Sequence, residues 1–286
     1  MLTNKSIELF LQALEGVMSP ATVVWYRHRL APLRDALGHR HVERLTVDRL
    51  RAWRAEVCRR PLSEWTLHGH IRAARRFFKW LVEEGRLKQS PAARLELPAL
   101  HYEPAKGISA ADVLKMTALA RTQHPRDYAL CLLLADTGAR VGGVAGLTVA
   151  DLDFISGRAM VREKGGKSRA VYLTRRTCSA LRDYLGGRRS GPVFLSYKGN
   201  PLKAGGIYQA LERIAKRAEV TGRWNPHAWR HGTARGWLKA GANLAQVSQM
   251  LGHSDVGVTV KFYGAFVDEE LKAAHTRYTV VREDGD

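Results

Sequence analysis

The chain has 286 residues, of which 45% are hydrophobic, so it is long enough for about two domains and can bury a core. These values exclude a disordered tail and a mini-protein. No run of about 18 or more apolar residues occurs, and the N-terminus lacks the pattern of a signal peptide. We therefore expect a cytoplasmic protein without a membrane partner. The three cysteines are scattered and lack metal-ligand spacing, which argues against a disulfide framework or a bound metal.

The excess of basic residues is the first indication of function. The chain has 46 Lys and Arg against 27 Asp and Glu, a formal net charge of +19. Residues 1–100 carry 18 basic and 10 acidic side chains, and residues 101–286 carry 28 and 17, so both parts are basic. This distribution favours a nucleic acid as the partner, although a ribosomal or membrane-surface protein would show a similar balance.

Residues 3 to 85 have the pattern of four helices, because apolar side chains recur there at helical spacing. Ser19, Thr46 and Ser63 are typical N-cap residues, and each precedes one of the predicted helices. Gly85 is typical of a helix end. No strand pattern interrupts this region, so we predict a helical bundle.

The remainder of the chain mixes helices with one β-hairpin. The predicted elements are a helix from Ser109, a buried helix from Asp127 to Ala135 that stops at Thr137-Gly138, strands from Arg158 to Glu163 and from Ser168 to Leu173 joined by a glycine turn, and four helices between Pro201 and about Tyr263. The predicted fold is mainly α with a small antiparallel β-sheet. We predict an N-terminal helical bundle over residues 1–88, a proline-containing linker over 89–106 and an α+β domain over 107–286.

The most informative segment is NPHAWRHGTARGWLKAGANLAQVSQMLGH, residues 225–253. Pro226 begins a helix on which His227 and Arg230 are three residues apart, so both side chains lie on one face and can reach a single anion. Taken alone, such a pair is more typical of an ordinary surface helix with an incidental histidine and arginine.

Four further residues have an ordinary structural interpretation when each is taken singly. Arg140 follows a Thr-Gly helix end, and Lys164 stands at the tip of the hairpin. His253 follows a Leu-Gly helix end, and Tyr263 lies ten residues later on a helix. Capping, turn and core positions commonly hold such residues, so only their combination is informative.

In order and spacing these residues resemble the tyrosine recombinase (phage integrase) family, over nearly the whole chain. The motifs are TGARVGGVAGLTVADLD, REKGGKSRAVYLT, PHAWRHGTARGWLKAGANLAQVSQMLGHSD and VKFYG. The resemblance implies six catalytic residues: Arg140, Lys164, His227, Arg230, His253 and Tyr263. One departure is Gly143, which stands where the family commonly has an acidic residue. The resemblance also implies an N-terminal core DNA-binding domain, a C-terminal catalytic domain and a C-shaped clamp on DNA.

The implied reaction is site-specific recombination, in which DNA strands are cleaved and rejoined through a 3′-phosphotyrosine, with no cofactor and no metal. Two guanidiniums suit this reaction, because Arg140 and Arg230 can hold the nonbridging oxygens of the attacked phosphate. Tyr263 is the implied nucleophile. A tyrosine, with a pKa of about 10, needs cations or a base to attack at neutral pH.

The remaining catalytic positions supply protons or accept them. His227 is the predicted base, and His253 is a further donor to the phosphate. Lys164 is the predicted acid for the departing 5′ oxygen of deoxyribose, and Lys167 is its rival because it is close in sequence.

The expected partners are double-stranded DNA and other protomers of the same chain in a DNA-bound tetramer. The resemblance also allows accessory DNA-bending proteins as partners. It further implies that the protein is associated with the nucleoid. In the first domain, one helix carries a basic stripe that is expected to face DNA, formed by Arg72, Arg75, Arg76 and Lys79. Lys167, in the second domain, is also expected to contact DNA. A solvated basic face is the simpler alternative for this stripe.

Two other functions remain compatible with the sequence. A topoisomerase of the IB type has similar catalytic residues but acts as a monomer, and a regulator of the same fold would bind DNA without cleaving it. The acidic pair Asp151 and Asp153 is expected to form a structural turn rather than a two-metal nuclease site. The apolar side chains after Tyr263 are expected to dock either on a neighbouring protomer or on their own domain.

Overall fold

The protein divides into two compact units. The computed structural model describes residues 1–101, 106–162, 166, 168–253 and 255–264. The division falls between Met1–His101 (unit 1) and Tyr102–Asp286 (unit 2), and each unit has its own hydrophobic core. Among the described residues, no helix is both long and apolar enough to cross a membrane.

Unit 1 is a helical bundle, as predicted. Its helices are α1 (Thr3–Leu14), α2 (Pro20–Leu37), α3 (Val47–Cys58) and α4 (Glu64–Glu83), with a short 3-10 helix at Val42–Arg44. The predicted N-caps are confirmed, because the side chains of Ser19, Thr46 and Ser63 each accept a hydrogen bond from a backbone N–H three residues later. Gly85 follows the end of α4 in the left-handed conformation, with a φ of 66°.

Aromatic rings form the centre of the unit 1 core. The ring centroid of the fully buried Phe10 lies 5.7 Å from that of Phe77 and 5.4 Å from that of Trp80. Ala92 and Leu95 also pack into this core. Unit 1 therefore includes buried side chains from within the range 89–106.

Unit 2 contains helices and a small antiparallel sheet in its described part. The helices are α5 (Ala110–Gln123), α6 (Pro125–Thr137), α7 (Val141–Ala145), α8 (Arg175–Leu185), α9 (Ala204–Arg217), α10 (Pro226–Lys239), α11 (Leu244–Leu251) and α12 (Val256–Tyr263), with a short 3-10 helix at Val149–Asp151. The strands are β1 (Leu152–Asp153), β2 (Arg158–Arg162) and β3 (Ser168–Tyr172), in the order β1-β2-β3. In the hairpin Ala159 pairs with Val171. The predicted fold class is confirmed.

Helix α8 was not among the predicted elements, although the side chain of Thr174 caps its start and Cys178, Leu181 and Leu185 are buried on one face. The helix is also anchored to α6, because the hydroxyl of Thr177 donates a hydrogen bond of 2.6 Å to Asp136 at the end of that helix. Helix α6 begins two residues earlier than predicted, since the ring of His124 accepts a hydrogen bond from the backbone N–H of Arg126.

The acidic pair Asp151 and Asp153 serves backbone turns, as expected. The carboxylate of Asp151 accepts hydrogen bonds from the N–H and hydroxyl of Thr148, which closes a capping box. The carboxylate of Asp153 accepts hydrogen bonds from the backbone N–H groups of Ile155 and Ser156. The two-residue strand β1, which includes Asp153, was not predicted.

Two glycines allow the start of unit 2 to lie directly on α10. The backbone N–H of Ile108 donates a 2.9 Å hydrogen bond to the carbonyl of Ala228. A Cβ atom on Gly232 would lie 2.6 Å from the carbonyl oxygen of Ile108, and one on Gly107 would lie 2.4 Å from the backbone nitrogen of Gly232. Only glycine fits this close approach of two backbones.

We expect Gly232→Ala to destabilise unit 2 by about 1–3 kcal/mol, because the added methyl group overpacks against backbone. Gly236→Ala is the matched control on the same helix, since no atom lies within 4 Å of its Cβ position. The control should gain about 0.5–1 kcal/mol from helix propensity. Denaturant unfolding of both variants measures this difference, and equal stabilities would show that the backbones separate without cost.

Candidate active site

Helix α10 presents the central residues of the candidate site. It begins at Pro226, where the side chain of Asn225 accepts a 2.9 Å hydrogen bond from the backbone N–H of Ala228. On this helix His227 is exposed in the first turn, and Arg230, one turn later, is buried. The cap fixes the start of the helix and therefore the positions from which the side chains of His227 and Arg230 project.

Arg230 joins the ends of two other helices. Its Nη1 donates a 2.8 Å hydrogen bond to the carbonyl of Gly138, and its Nη2 donates one of 2.7 Å to the carbonyl of Leu251. Carbonyls at helix ends lack intrahelical partners, and a charged donor satisfies them well. Because Arg140 and His253 each follow one of these carbonyls by two residues, Arg230 brings both segments to α10.

The two helix ends have the same backbone conformation. Gly138 after α6 and Gly252 after α11 both adopt the left-handed conformation, with φ of 52° and 68°. The chain turns sharply at each glycine, and the next residues leave the helix axis. The Thr-Gly and Leu-Gly helix ends predicted from sequence are confirmed.

Arg140 is half-buried and is the N-cap residue of α7. Gly143, in the same short helix, packs against β2, because a Cβ atom there would lie 3.2 Å from the carbonyl oxygen of Arg162. An acidic side chain at this position would require α7 and β2 to separate by a few tenths of an ångström. The close packing of α7 on β2 is a physical reason for the glycine.

His253 is held by contacts from two sides of its turn. Its Nδ1 lies 2.7 Å from the hydroxyl of Thr259, a fully buried residue of α12. From β3, Arg169 donates a 2.5 Å hydrogen bond to the carbonyl of Met250 and packs under Gly252. The turn with His253 is thereby fixed to both the hairpin and α12.

Tyr263 is the last residue of α12 and is only 6% exposed. Its hydroxyl oxygen lies 2.5 Å from Nδ1 of His231, within hydrogen-bond distance. Burial raises the pKa of Tyr263 to about 12, against the opposing effect of the positive charges of Arg230 and Arg235. Without DNA, the phenol is therefore protonated at neutral pH, and it donates to His231 when the imidazole carries its proton on Nε2.

The sequence analysis did not select His231, which is half-buried on α10. Burial, followed by the charges of neighbouring basic residues, lowers the pKa of His231 to about 4. The ring is therefore neutral at pH 7, and in the tautomer with the proton on Nε2 its Nδ1 accepts the hydrogen bond of Tyr263. The available signal was its position four residues after His227, on the same helix face.

Parts of the predicted set lie outside the described residues. These are Lys164, Lys167 and the segment 265–286 after the predicted nucleophile. Among the residues that are described, no cluster of three or more His, Cys, Asp or Glu side chains is placed to hold a metal ion.

In unit 1 the predicted basic stripe on α4 divides into two parts. Arg76 and Lys79 both face Glu83, with N–O distances of 2.8 and 3.7 Å. Arg72 instead lies over the ring of Trp25, 5.3 Å from its centroid, and Arg29 of α2 lies 5.8 Å from the same centroid. The sequence analysis missed this contribution of α2.

Family models match most of the chain. The model of the phage integrase family matches residues 107–269, and that of the phage integrase N-terminal SAM-like domain matches residues 7–85. The chain therefore belongs to the tyrosine recombinase (phage integrase) family, a class of site-specific DNA recombinases, and the resemblance found in the sequence is confirmed.

Particular relatives and solved structures agree with this class. The tyrosine recombinase XerC of Xanthomonas campestris pv. campestris (strain B100) is 31% identical over 268 residues, which cover 90% of this chain and 83% of the relative. The fold is similar to the Tn1549 transposon integrase in complex with a circular intermediate DNA, with a TM-score of 0.79, 17% identity and coverage of 97% and 99%. It is also similar to a lambda integrase tetramer bound to a Holliday junction, with a TM-score of 0.74, 18% identity and coverage of 89% and 78%.

Proposed function

We propose that this tyrosine recombinase cleaves and rejoins DNA at a specific site by forming a 3′-phosphotyrosine on Tyr263. The observation that carries the proposal is the position of Arg230. This buried guanidinium binds the helix ends that precede Arg140 and His253, and its charge acts on Tyr263. One cation thus connects the proposed phosphate-binding and nucleophilic parts of the site.

In the proposed mechanism Arg140 and Arg230 bind the nonbridging oxygens of the scissile phosphate. Negative charge on these oxygens increases as Tyr263 attacks, and fixed guanidiniums stabilise it without reorganisation. His253, held by Thr259, and His227, exposed at the start of α10, are proposed as further donors to the phosphate.

Lys164 is proposed as the acid that protonates the departing 5′ oxygen, with Lys167 as its rival. An ammonium group on a hairpin turn can enter a groove without displacing a helix. The proposal rests on the family motif REKGGKSRAVYLT and on the hairpin strands β2 and β3, which flank the turn.

The proposed partners are duplex DNA and further copies of the chain in a tetramer on DNA. The net charge of +19 supports binding to a polyanion. Residues 1–88 are proposed as a DNA-binding domain and residues 107–286 as the catalytic domain, joined by 89–106. Accessory DNA-bending proteins and a location at the nucleoid in the cytoplasm complete the proposal.

The surface of α4 is proposed to contact DNA through the exposed Arg72 and the half-buried Arg75. Arg76 and Lys79 belong to the same surface, but their shared partner Glu83 offsets part of their charge. Arg72 and Arg29 flank the ring of Trp25, so the contact surface is proposed to include α2 as well.

The function is tested by trapping the covalent intermediate. A duplex is first selected from a randomised library by binding to the protein, and a nicked version, from which the cleaved end diffuses away, is then incubated with it in excess EDTA. We expect a covalent protein–DNA adduct at Tyr263, because arginines rather than metal ions are proposed to neutralise the phosphate.

Three outcomes would argue against this function. Absence of an adduct on every selected duplex would favour a DNA-binding protein without activity. Cleavage that requires Mg²⁺ would contradict the arginine-based mechanism. Relaxation of supercoiled DNA without stable pairing of two sites would indicate a topoisomerase of the IB type.

A further inference from the structure

The neighbour of the Tyr263 hydroxyl identifies a further catalytic residue. Nδ1 of His231 is its hydrogen-bond partner at 2.5 Å, whereas within the described part of the chain no hydrogen bond joins Tyr263 to His227. We propose that His231 takes the phenolic proton of Tyr263 when the tyrosine attacks DNA. This inference rests on the proposed function and replaces His227 as the base.

Geometry is the first support. A general base must lie within hydrogen-bond distance of the proton that it removes, and His231 meets this condition before DNA binds. The ring centroid of His231 lies 5.6 Å from that of Tyr263 and 5.9 Å from that of Phe262. Both rings belong to α12, so the imidazole is positioned by the helix that carries the nucleophile.

The backbone behind His231 is also fixed. A Cβ atom on Gly107 would lie 2.7 Å from the carbonyl carbon of His231, so the residues at the start of unit 2 pack against the helix at this point. The backbone at His231 is therefore fixed, and the contacts of its ring with Phe262 and Tyr263 restrict the rotation of the side chain.

Charge is the second support. The titratable and charged groups that act on His231 are His227, Arg230 and Arg235 of α10, Arg223 in the preceding loop and the phenol of Tyr263. In the absence of DNA, the cations add to the effect of burial and keep the pKa of the imidazole low. A bound phosphodiester offsets the same cations, so His231 becomes a stronger base when the substrate is in place.

The proton balance of the step is complete. The bond between Oη of Tyr263 and phosphorus forms while the bond between phosphorus and the 5′ oxygen breaks. The phenolic proton moves to Nδ1 of His231, and the 5′ oxygen takes its proton from the separate acid proposed above. In rejoining, the 5′ hydroxyl attacks phosphorus and returns its proton to that acid, while the bond between phosphorus and Oη breaks and Tyr263 recovers its proton from the half-buried His231.

The inference is tested with His231→Asn, whose side-chain oxygen can accept the hydrogen bond but cannot take up a proton at neutral pH. His227→Asn is the comparison variant on the same helix. Single-turnover cleavage of the nicked duplex is measured from acid to alkaline pH, with DNA binding and thermal unfolding recorded for each variant. His231→Ala is assayed with and without added imidazole.

We expect His231→Asn to cleave about 100-fold more slowly or worse, with DNA binding unchanged. Its rate should rise about tenfold per pH unit, because hydroxide then removes the proton. Imidazole should restore cleavage to His231→Ala in proportion to the neutral imidazole present. His227→Asn, which is in the proposed phosphate-binding set, should slow cleavage without changing the shape of the pH profile.

A readout without DNA separates this inference from the proposed function. In protein labelled with ¹³C at tyrosine Cζ, the Tyr263 signal is assigned by its loss in Tyr263→Phe. It should move in His231→Ala, which removes the hydrogen-bond partner, and stay in His227→Asn. A signal that does not move in His231→Ala overturns the inference whether or not the wild type forms an adduct.

The kinetic outcomes complete the test. If the wild type forms the adduct and His231→Asn cleaves at a similar rate, His231 is not the base. The same conclusion follows if His231→Asn cleaves more slowly but keeps the wild-type pH profile, and imidazole does not restore cleavage to His231→Ala. If no adduct forms in the wild type, the proposed function fails and the inference fails with it.

Discussion

Tyr263→Phe is expected to abolish the covalent adduct while leaving DNA binding intact. The substitution removes only the hydroxyl, so the buried ring and the end of α12 keep their packing. The fold should lose about 0.5–1.5 kcal/mol, the usual net value of one hydrogen bond, because His231 loses its donor. Adduct formation is read on a denaturing gel with the nicked duplex.

The matched control is Tyr197→Phe, a change of the same atoms at a tyrosine that is 68% exposed. It should form the adduct at the wild-type rate. If Tyr263→Phe still forms the adduct, another residue is the nucleophile and the assignment to Tyr263 is wrong.

Arg230→Lys is expected to reduce both cleavage and stability. A lysine carries the charge but cannot bind two carbonyls and a phosphate with a planar fork, so we expect cleavage to fall by about 1000-fold. At least one of the carbonyls of Gly138 and Leu251 loses its donor inside the protein. The free energy of unfolding should fall by about 1–3 kcal/mol for this reason.

Arg235→Ala provides the stability control, because Arg235 is exposed on the same helix. Its free energy of unfolding should stay within about 0.5 kcal/mol of the wild type. A stable Arg230→Lys variant that has lost cleavage would show that the two carbonyls find other partners. A variant with wild-type cleavage would remove Arg230 from the catalytic set.

Local signals explain how much of the fold was predictable. Ser19, Thr46 and Ser63 cap the starts of three helices with their own side chains, and glycines 138 and 252 end two others, α6 and α11. Each of these features is decided within a few residues. Helix α8 has local signals of the same kind, since Thr174 caps its start and Gly186, with a φ of 56°, follows its end, but it was not among the predicted elements. Its attachment to α6 through Thr177 and Asp136, which are 41 residues apart, depends on tertiary packing that a local window does not contain.

The same distinction applies to the candidate site. The motifs supplied the residue types of the candidate site and their order along the chain, but the hydrogen bonds of Arg230 reach partners 92 and 21 residues away. The contact between His231 and Tyr263 spans 32 residues, and Trp25 and Arg72 meet across two helices. No spacing rule predicts such pairs, because they are decided by how helices pack.

The close contact of Gly107 with Gly232 has a mechanical consequence. The chain that comes from unit 1 enters unit 2 against the middle of α10, where the Ile108–Ala228 hydrogen bond secures it. Residues 107 and 108 are thus held by α10 immediately before the chain enters α5 at Ala110. Displacement of this short segment would strain the helix that carries Arg230 and His231, so the entry into unit 2 is mechanically coupled to the proposed catalytic residues.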